Sequence, residues 1–347
     1  MKISTLGIDL AKDIFQIHAV DQHGKVIQRK KLRRSEMAAY FSNLEPCLIG
    51  MEACVSTHYW ARKLVAMGHT VKLMAPQFVK PYVKANKHNA ADAEAICEAV
   101  TRPTMRFVSI KDVEQQTILS VHRVRQLLVT ERTAQVNQIR GLLCVFGIVM
   151  PKGVSALGKR IPEILEDAEN ELTCRMRELM KGCYERVKTL TEEVDKQELI
   201  IRQWHKQNRL SSRLEKTPGI GPLTASAFVA TIGNALEFKN GRQLAAFIGL
   251  VPRQHSSGGK HNLLGISKRG DGYLRTLLIH GARAVVRCAE GNADQYTWLQ
   301  EVMGRRHKNI ATVALANKNV RTIWALLAKD REFDRNYVSQ PARALVV

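Results

Sequence analysis

The amino-acid sequence predicts an α/β fold at the amino end of the chain, followed by a long and mainly helical part. Short β-branched runs fill most of the first 32 residues, and strand-like and helix-like segments then alternate up to residue 74. From about residue 113, apolar residues recur at three- and four-residue steps. A chain of 347 residues exceeds one ordinary domain, so we expect more than one functional site.

The amino-terminal part begins with a pattern typical of β-hairpins. Apolar runs at residues 3–10 and 14–20 flank a polar break, and a turn leads to a third run at residues 26–32. The next segments are predicted as a helix at 35–44, a strand at 47–51, a helix at 56–67 and a strand at 70–74. Strands first, then alternating strands and helices, is the order of a ribonuclease-H-like fold.

The middle of the chain, up to residue 205, predicts long helices interrupted by glycine and proline near residues 147–153. The spacing favours an antiparallel helical hairpin or a coiled-coil arm, which serves packing, dimerisation or support of a nucleic acid. Short helices and glycine-rich turns follow, and the tail is predicted to be helical to residue 328 and then irregular. The pattern divides the chain into domains at residues 1–112, 113–207 and 208–347.

The charge of the chain indicates a polyanionic partner. Lys and Arg number 53 against 32 Asp and Glu, a net charge of +21 that nucleic acid would offset. The alternatives are a generally basic surface or binding to a membrane surface. Because no apolar run reaches the ~20 residues of a membrane span and the first residues lack a signal-peptide pattern, we expect a cytoplasmic protein without a membrane partner.

The seven cysteines are scattered and never spaced as CxxC. Their odd number and spacing argue against a disulfide framework and against a structural zinc site. We predict that most of them are buried thiols, which is the common environment of free cysteine.

Acidic residues follow two of the predicted strands. Asp9 ends the first strand, and Glu52 comes directly after the strand at 47–51, which lies beside the first strand in a ribonuclease-H-like sheet. A third acid, Asp92, opens a predicted helix. A single Asp at such a position is more often a helix cap than a metal ligand. Together, on a basic protein, the three favour a two-metal phosphoryl-transfer site; Asp13 and Glu94 are expected to face solvent or to lie behind the ligands.

The segment at residues 217–222 contains Gly219 and Gly221 and leads into an apolar helix at residues 223–232. This pattern is typical of a helix-hairpin-helix turn, in which backbone N–H groups at a helix start bind a DNA phosphate. The alternative is a tight turn that binds no ligand.

A strongly basic, glycine-rich segment follows between residues 251 and 283, where a single acid, Asp271, is present. A serine among glycines and cations can attack a phosphodiester, but a loop serine is more often only a turn residue, so residue type alone does not select the nucleophile. The cations of this segment are Arg253, Lys260, Lys268, Arg269, Arg275 and Arg283, and we predict nucleic-acid binding by the first five.

The chain resembles the DEDD transposases of one bacterial insertion-sequence class, the family one-ten, and especially its eleven-eleven subgroup. The resemblance covers nearly the whole chain and is carried by residues 7–12, 50–53, 92–99, 218–222 and 249–275. It implies a RuvC-like domain whose four acids bind Mg²⁺ or Mn²⁺, a coiled-coil connector, and a transposase domain with a catalytic serine. It also implies recombination of donor and target DNA by a homodimer or homotetramer, guided by a non-coding RNA that the element encodes.

The resemblance assigns the nucleophile to Ser257, with Ser256 as the alternative. Asp9, Glu52 and Asp92 match the first, second and fourth acids of the family pattern. Asn89 stands where the family has the third acid, either as a natural change that weakens metal binding or as an inactivating substitution.

The first hypothesis is therefore an RNA-guided recombinase in which metal and Ser257 act together. A second is a RuvC-type junction nuclease in which water attacks and Ser257 only binds phosphate. A third is a nucleic-acid-binding scaffold with a disabled site.

Overall fold

A computed structural model describes residues 2–84, 89–258, 260, 262–291, 296–335 and 337. The chain divides into two compact units, of which the first comprises Met1–Gln115 with Ile232–Lys239 and the second comprises Gln116–Thr231 with Asn240–Val347. The predicted three-part division stays a prediction, and the irregular end of the tail beyond residue 337 lies outside the described residues.

A six-stranded sheet forms the centre of the first unit. Its strands are β1 (Thr5–Leu10), β2 (Ile14–Val20), β3 (Val26–Arg33), β4 (Leu48–Glu52), β5 (Thr70–Met74) and β6 (Phe107–Val108). The spatial order is β3-β2-β1-β4-β5-β6, with β1 to β3 antiparallel, β4 parallel to β1, and β5 parallel to β4. This order fits a ribonuclease-H-like domain and confirms the mixed α/β prediction.

Helices cover both faces of this sheet. They are α1 (Met37–Ser42), α2 (Thr57–Ala66), α3 (Pro76–Val79) and α4 (Asn89–Val100). On one face, Ile8 and Phe15 form a core cluster with Trp60 of α2. On the other face, α4 lies so close to β1 that a Cβ atom on Gly7 would overlap the carbonyl oxygen of Ala93. Glycine is thus required at this position by close contact between helix and strand.

The second unit is mainly helical. Its helices are α5 (Val113–Cys144, which starts in the first unit), α6 (Val154–Glu166), α7 (Cys174–Gln207), α8 (Arg209–Glu215), α9 (Pro222–Ile232), α10 (Gly241–Ile248), α11 (Gly272–Ala289), α12 (Thr297–Arg305) and α13 (Lys308–Ala328). Strands β7 (Pro252–Gln254) and β8 (Leu263–Ile266) form a small hairpin. No helix in the described ranges is both long and apolar enough to cross a bilayer.

Helices α5 and α7 run antiparallel. Arg125, in the first half of α5, contacts Glu198 near the end of α7 at 2.6 Å, whereas Ile139 and Leu143 share a core cluster with Met180 near the start of α7. The helices are interrupted between Cys144 and Val154, where glycine and proline were expected to break them. The supercoil of a coiled coil stays a prediction.

All seven cysteines are free, but the prediction that most are buried is wrong. Only Cys47 and Cys97 are buried, and Cys183 is half-buried. The exposed ones lie in a loop or at helix ends, where burial is incomplete; they are Cys54, Cys144, Cys174 and Cys288.

Candidate functional site

The carboxyl edge of the sheet brings two of the predicted acids to neighbouring strands. In the parallel pair β1 and β4, Ile8 is opposite Met51, so Asp9 and Glu52 are the next residues along each strand. Side chains alternate between faces of a sheet, and Gly7 and Gly50 both face α4. Asp9 and Glu52 therefore project from the α4 face, side by side and half-buried.

Asp92 lies in the first turn of α4, next to Ala93, which covers Gly7. Asp92 is half-buried, and Asn89, the first residue of the helix, is exposed. We call Asp9, Glu52, Asn89 and Asp92 the acidic edge. Carboxylate oxygens suit a hard divalent cation. However, within the described ranges no three or more His, Cys, Asp or Glu residues are grouped closely enough to hold a metal ion. The acidic edge thus supplies ligands of the right kind without assembling a complete ligand set.

Two buried polar residues of β2 at this face were missed from the sequence. Gln16 pairs with Asp9 and His18 with Gly7, and both side chains are buried. The signal was a glutamine and a histidine inside an otherwise apolar strand. Burial lowers the pKa of His18, partly offset by Glu94.

The two acids that were expected not to bind metal directly are Asp13 and Glu94. Asp13 is exposed. Glu94 is half-buried and forms ion pairs with Arg29 at 3.4 Å and with Lys84 at 3.8 Å. Because Arg29 and Lys84 already form ion pairs with Glu94, its negative charge is less available to a metal ion.

The glycine turn connects α8 to α9. Gly219 has a φ of +83°, and a Cβ atom there would come within 2.8 Å of the Gly281 carbonyl oxygen of α11. Packing therefore requires glycine at residue 219, independently of any ligand. Gly221 is exposed and has open space around its Cα, and its carbonyl accepts the first hydrogen bond of α9 from Ala225 at 2.9 Å. The first N–H groups of α9 after Pro222, which has none, have no acceptor within the helix.

The predicted serines lie at the tip of the β7–β8 hairpin. The Lys260 backbone N–H donates to the Ser257 carbonyl at 3.0 Å, and Gly258 between them has a φ of +55°. Ser257 is exposed. The Ser256 hydroxyl accepts a hydrogen bond from the Gln254 amide at 2.8 Å. Arg253 and Lys260 of this hairpin are exposed, so the tip carries a hydroxyl among accessible cations.

A basic loop follows the hairpin. Lys268 and Arg269 are exposed, and Lys268 has a positive φ of 54°. The Arg275 guanidinium donates to the carbonyls of Ile248 at 2.9 Å and Arg269 at 2.7 Å. Arg275 therefore joins the end of α10 to the basic loop, and the exposed Lys268 and Arg269 are more accessible to solvent than Arg275.

A buried hydrogen-bond network lies beneath the glycine turn and the basic loop. The Ser226 hydroxyl donates to the Pro222 carbonyl at 2.7 Å and can accept from His122 Nε2, which lies 3.0 Å away. His122 Nδ1 lies 2.9 Å from the Tyr273 hydroxyl in the first turn of α11. These bonds are satisfied by a neutral imidazole, and burial, together with nearby Arg125, lowers the pKa of His122 to about 4. A lone histidine in a helix gave no sign of this network in the sequence.

The lowered pKa of His122 predicts acid sensitivity. Because the unfolded histidine, with a pKa of about 6.5, binds a proton more readily than the folded one, the stabilisation is complete above about pH 6.5 and is lost as pH falls towards 4. Between pH 7 and pH 5 we expect the free energy of unfolding to fall by about 2 kcal/mol through this residue.

Urea unfolding of the chain and of its His122→Gln variant at both pH values measures this effect. The variant should be less stable at pH 7 but should lose about 2 kcal/mol less on acidification. His58, whose pKa burial also lowers to about 4, titrates in both proteins and cancels in the comparison. Parallel pH dependences would show that His122 is not held neutral.

Comparison with known proteins gives a consistent result over both units. Residues 6–146 match a family model for the DEDD transposase of IS110 elements, and residues 211–297 match the model described as the transposase IS116/IS110/IS902 family. The chain is 50% identical over 332 residues to a probable family 20 transposase of Pseudomonas aeruginosa. The aligned region covers 95% of this chain and 98% of the relative.

Two further relatives are similar along nearly their whole length. The transposase for insertion sequence element IS1111A of Coxiella burnetii is 43% identical, over 95% of this chain and 91% of the relative. The transposase for insertion sequence element IS1328 of Yersinia enterocolitica is 38% identical, over 96% of this chain and 99% of the relative.

Proposed function

The chain belongs to the IS116/IS110/IS902 family of insertion-sequence transposases, and on this premise we propose that it recombines DNA through metal-assisted attack by Ser257. A transposase acts on DNA by cutting and rejoining its strands. The observation that carries the proposal is the side-by-side position of Asp9 and Glu52 at the ends of parallel strands.

The acidic edge is proposed to hold the divalent metal that DEDD transposases typically use, here Mg²⁺ or Mn²⁺. Asp9, Glu52 and Asp92 would supply carboxylate oxygens, and Asn89 an amide oxygen. A metal bound there would polarise the scissile phosphate. Catalysis by this chain therefore depends on how closely Asp92 approaches the other two acids when DNA is bound.

Ser257 is proposed as the nucleophile because the family resemblance assigns that role to it, and its exposure on a hairpin that also carries Arg253 and Lys260 supports the assignment. As the Ser257 Oγ–P bond forms, one P–O bond of the DNA strand breaks. The hydroxyl proton passes to solvent, and the departing oxygen takes a proton from solvent. The covalent link keeps the energy of the phosphodiester for rejoining. The phosphate would be held by the predicted cations and backbone donors, which are Arg253, Lys260, Lys268, Arg269, Arg275, Gly219 and Gly221.

Guidance by an element-encoded RNA and assembly as a homodimer or homotetramer belong to the same proposal. The net charge of +21 supports binding of nucleic acid. RNA that co-purifies with the protein, identified by sequencing, tests the guide.

Asn89 favours one alternative, a nucleic-acid-binding scaffold with a disabled site. A RuvC-type nuclease that uses water is the other alternative, since the acid pair could serve either nucleophile. Denaturing electrophoresis of a labelled DNA substrate separates the three. A protein–DNA adduct supports the serine recombinase, free cut DNA supports the nuclease, and intact DNA supports the scaffold.

Asn89→Asp is expected to increase cleavage at limiting Mg²⁺. An amide oxygen can touch a metal but adds no negative charge, and clustered charge is what draws a divalent ion out of its hydration shell. The variant should reach half-maximal cleavage at a Mg²⁺ concentration about tenfold lower. This is the size of effect on metal affinity that we expect from one added negative charge at the site. A Mg²⁺ titration of cleavage by both proteins measures the difference.

Asn137→Asp is the matched control, because Asn137 is exposed on α5 and its oxygen already accepts from Arg140 at 3.3 Å. This control should leave the Mg²⁺ requirement unchanged. If Asn89→Asp and the starting chain cleave equally at every Mg²⁺ concentration, residue 89 is not a ligand.

A further inference from the structure

A cavity of about 700 Å³ opens on the surface of the first unit, where β2 begins, β3 ends and α2 passes. Its volume lies in the range of ligand sites and exceeds what one nucleobase needs. Neither the acidic edge nor the serine hairpin includes any of its lining. The residues that matter for its chemistry are Asp13, Arg33, Arg34, Tyr59 and Trp60, which we call the aromatic cavity.

Flat groups line the aromatic cavity. Trp60 is fixed by edge-on contacts with Phe15 and Tyr59, whose ring centroids lie 5.7 Å and 5.3 Å away. The guanidinium of Arg34 lies 5.7 Å from the Trp60 ring centroid. Tyr59 is 43% exposed, so its ring remains accessible. Aromatic rings and arginine planes of this kind are the groups on which unpaired bases stack.

One polar atom of this lining residue set lacks a partner. Trp60 is only 5% exposed, and its indole Nε1 is buried and has no hydrogen-bond acceptor among the described residues. A buried N–H group without an acceptor is costly, so such a donor normally meets a ligand or an ordered water.

A basic stripe leads to the aromatic cavity. Strand β3 lies at the edge of the sheet, and the segment from residue 29 to residue 34 carries five exposed cations: Arg29, Lys30, Lys31, Arg33 and Arg34. Charges on an edge strand also discourage pairing with other chains. That role alone would require neither an adjacent aromatic cavity nor an indole N–H without an acceptor.

We propose that the aromatic cavity binds the base of one unpaired nucleotide. Tyr59 and Arg34 stack on the base, and the cations of β3 bind the phosphates of the nucleic-acid strand. The Asp13 carboxylate can accept from an exocyclic amine or a sugar hydroxyl. A paired base cannot enter, because its faces are stacked within the duplex. The ligand is thus a single strand, of RNA or of DNA.

The aromatic cavity lies at the same end of the strands as the acidic edge, but Trp60 packs on the opposite face of the sheet from Asp9 and Glu52. Gln16 pairs with Asp9, and Ile14, which lines the cavity, is two residues before Gln16 on β2. Two residues of a β-strand span about 7 Å, so the backbone of Ile14 lies within about 10 Å of the backbone of Asp9. A nucleic-acid strand bound in the cavity would have to pass around the end of the sheet to reach the acidic edge; this consequence rests on the proposed function, whereas the binding itself does not.

Fluorescence anisotropy of labelled 12-nucleotide strands tests the proposal with the full chain. Three probes of one sequence are used: single-stranded RNA, single-stranded DNA and duplex DNA. Tyr59→Ala should bind at least one single strand about tenfold or more weakly, the size expected for one lost stacking contact, and should bind the duplex as before. Tyr59→Phe, which keeps the ring, should bind like the starting chain. The probe that loses affinity identifies the strand as RNA or DNA.

Tyr337→Ala is the matched control, because Tyr337 is 63% exposed and belongs to the second unit. It should change none of the three affinities. Photocrosslinking of a strand containing 5-iodouracil should label the peptide of α2 in the starting chain and not in Tyr59→Ala.

Two outcomes overturn the proposal: equal affinity of Tyr59→Ala and the starting chain for both single strands, or an equal loss for duplex and single strands. These outcomes are distinct from failure of the recombinase. If the aromatic cavity binds strands but no DNA is cut, only the proposed function fails.

Discussion

Replacing Ser257 by Ala is expected to reduce DNA strand cleavage by about 1000-fold or more while leaving nucleic-acid binding nearly unchanged. Removing a nucleophile eliminates the covalent route, and losses of this size or larger are typical for such changes. The hydroxyl is exposed at the hairpin tip, and no side-chain hydrogen bond of Ser257 to a described residue contributes to the fold. Binding depends mainly on cations that this change leaves in place.

Ser256→Ala is the control for this prediction. Its hydroxyl accepts from Gln254 at 2.8 Å, a contact within the hairpin that is exposed to solvent. We expect Ser256→Ala to lose far less cleavage than Ser257→Ala. Denaturing gels report cleavage and the covalent adduct, and anisotropy with the same DNA reports binding. Full cleavage by Ser257→Ala would exclude Ser257 as nucleophile, and a selective loss in Ser256→Ala would move the assignment to its neighbour.

The sheet of the first unit could be predicted from the sequence because its signals are local. Residues 14–20 and 70–74 were predicted as strands with the bounds that the structure has. Alternation of apolar residues and the polar breaks between runs act over a few residues, and they identified strand order before any contact was known. The position of Asp9 beside Glu52 followed from the ribonuclease-H-like fold that this order indicated.

The roles of the glycine turn and the basic loop could not be predicted in the same way. Gly219 is required by Gly281, which is far away in the sequence, and Arg275 is held by carbonyls of Ile248 and Arg269. His122 likewise finds its partners on two other helices. Contacts between distant segments leave no periodic signal. Composition therefore predicted a phosphate site, but it did not show which cations, such as Arg275, hydrogen-bond to carbonyls within the fold.

The acidic edge falls between these two cases. The register of β1 and β4 fixes Asp9 and Glu52, but Asp92 is positioned by the packing of α4 across Gly7 and Gly50, which no local pattern encodes. The sequence therefore predicted the ligand types and two of their places. The distance of Asp92 from the other acids depends on tertiary packing and, in the proposed function, on bound DNA.

Asp9→Asn is expected to reduce metal-dependent cleavage by on the order of 100-fold or more, because it removes a negative ligand from a site that already lacks one acid at Asn89. The amide has nearly the same shape as the carboxylate, so the fold should be retained, and thermal unfolding checks this. Anisotropy should show DNA binding close to that of the starting chain, since the lost charge is negative.

The matched control is Asp21→Asn, the same change in the same unit but at the opposite edge of the sheet. Asp21 closes the turn after β2 by accepting from the backbone N–H groups of His23 at 2.8 Å and Lys25 at 3.0 Å, which an amide oxygen can also do. Asp21→Asn should cleave like the starting chain, and chelation of divalent metal by EDTA should stop cleavage by both. If Asp9→Asn still cuts DNA at the rate of Asp21→Asn, the acidic edge is not the catalytic metal site, and the position of Asp9 beside Glu52 must have another cause.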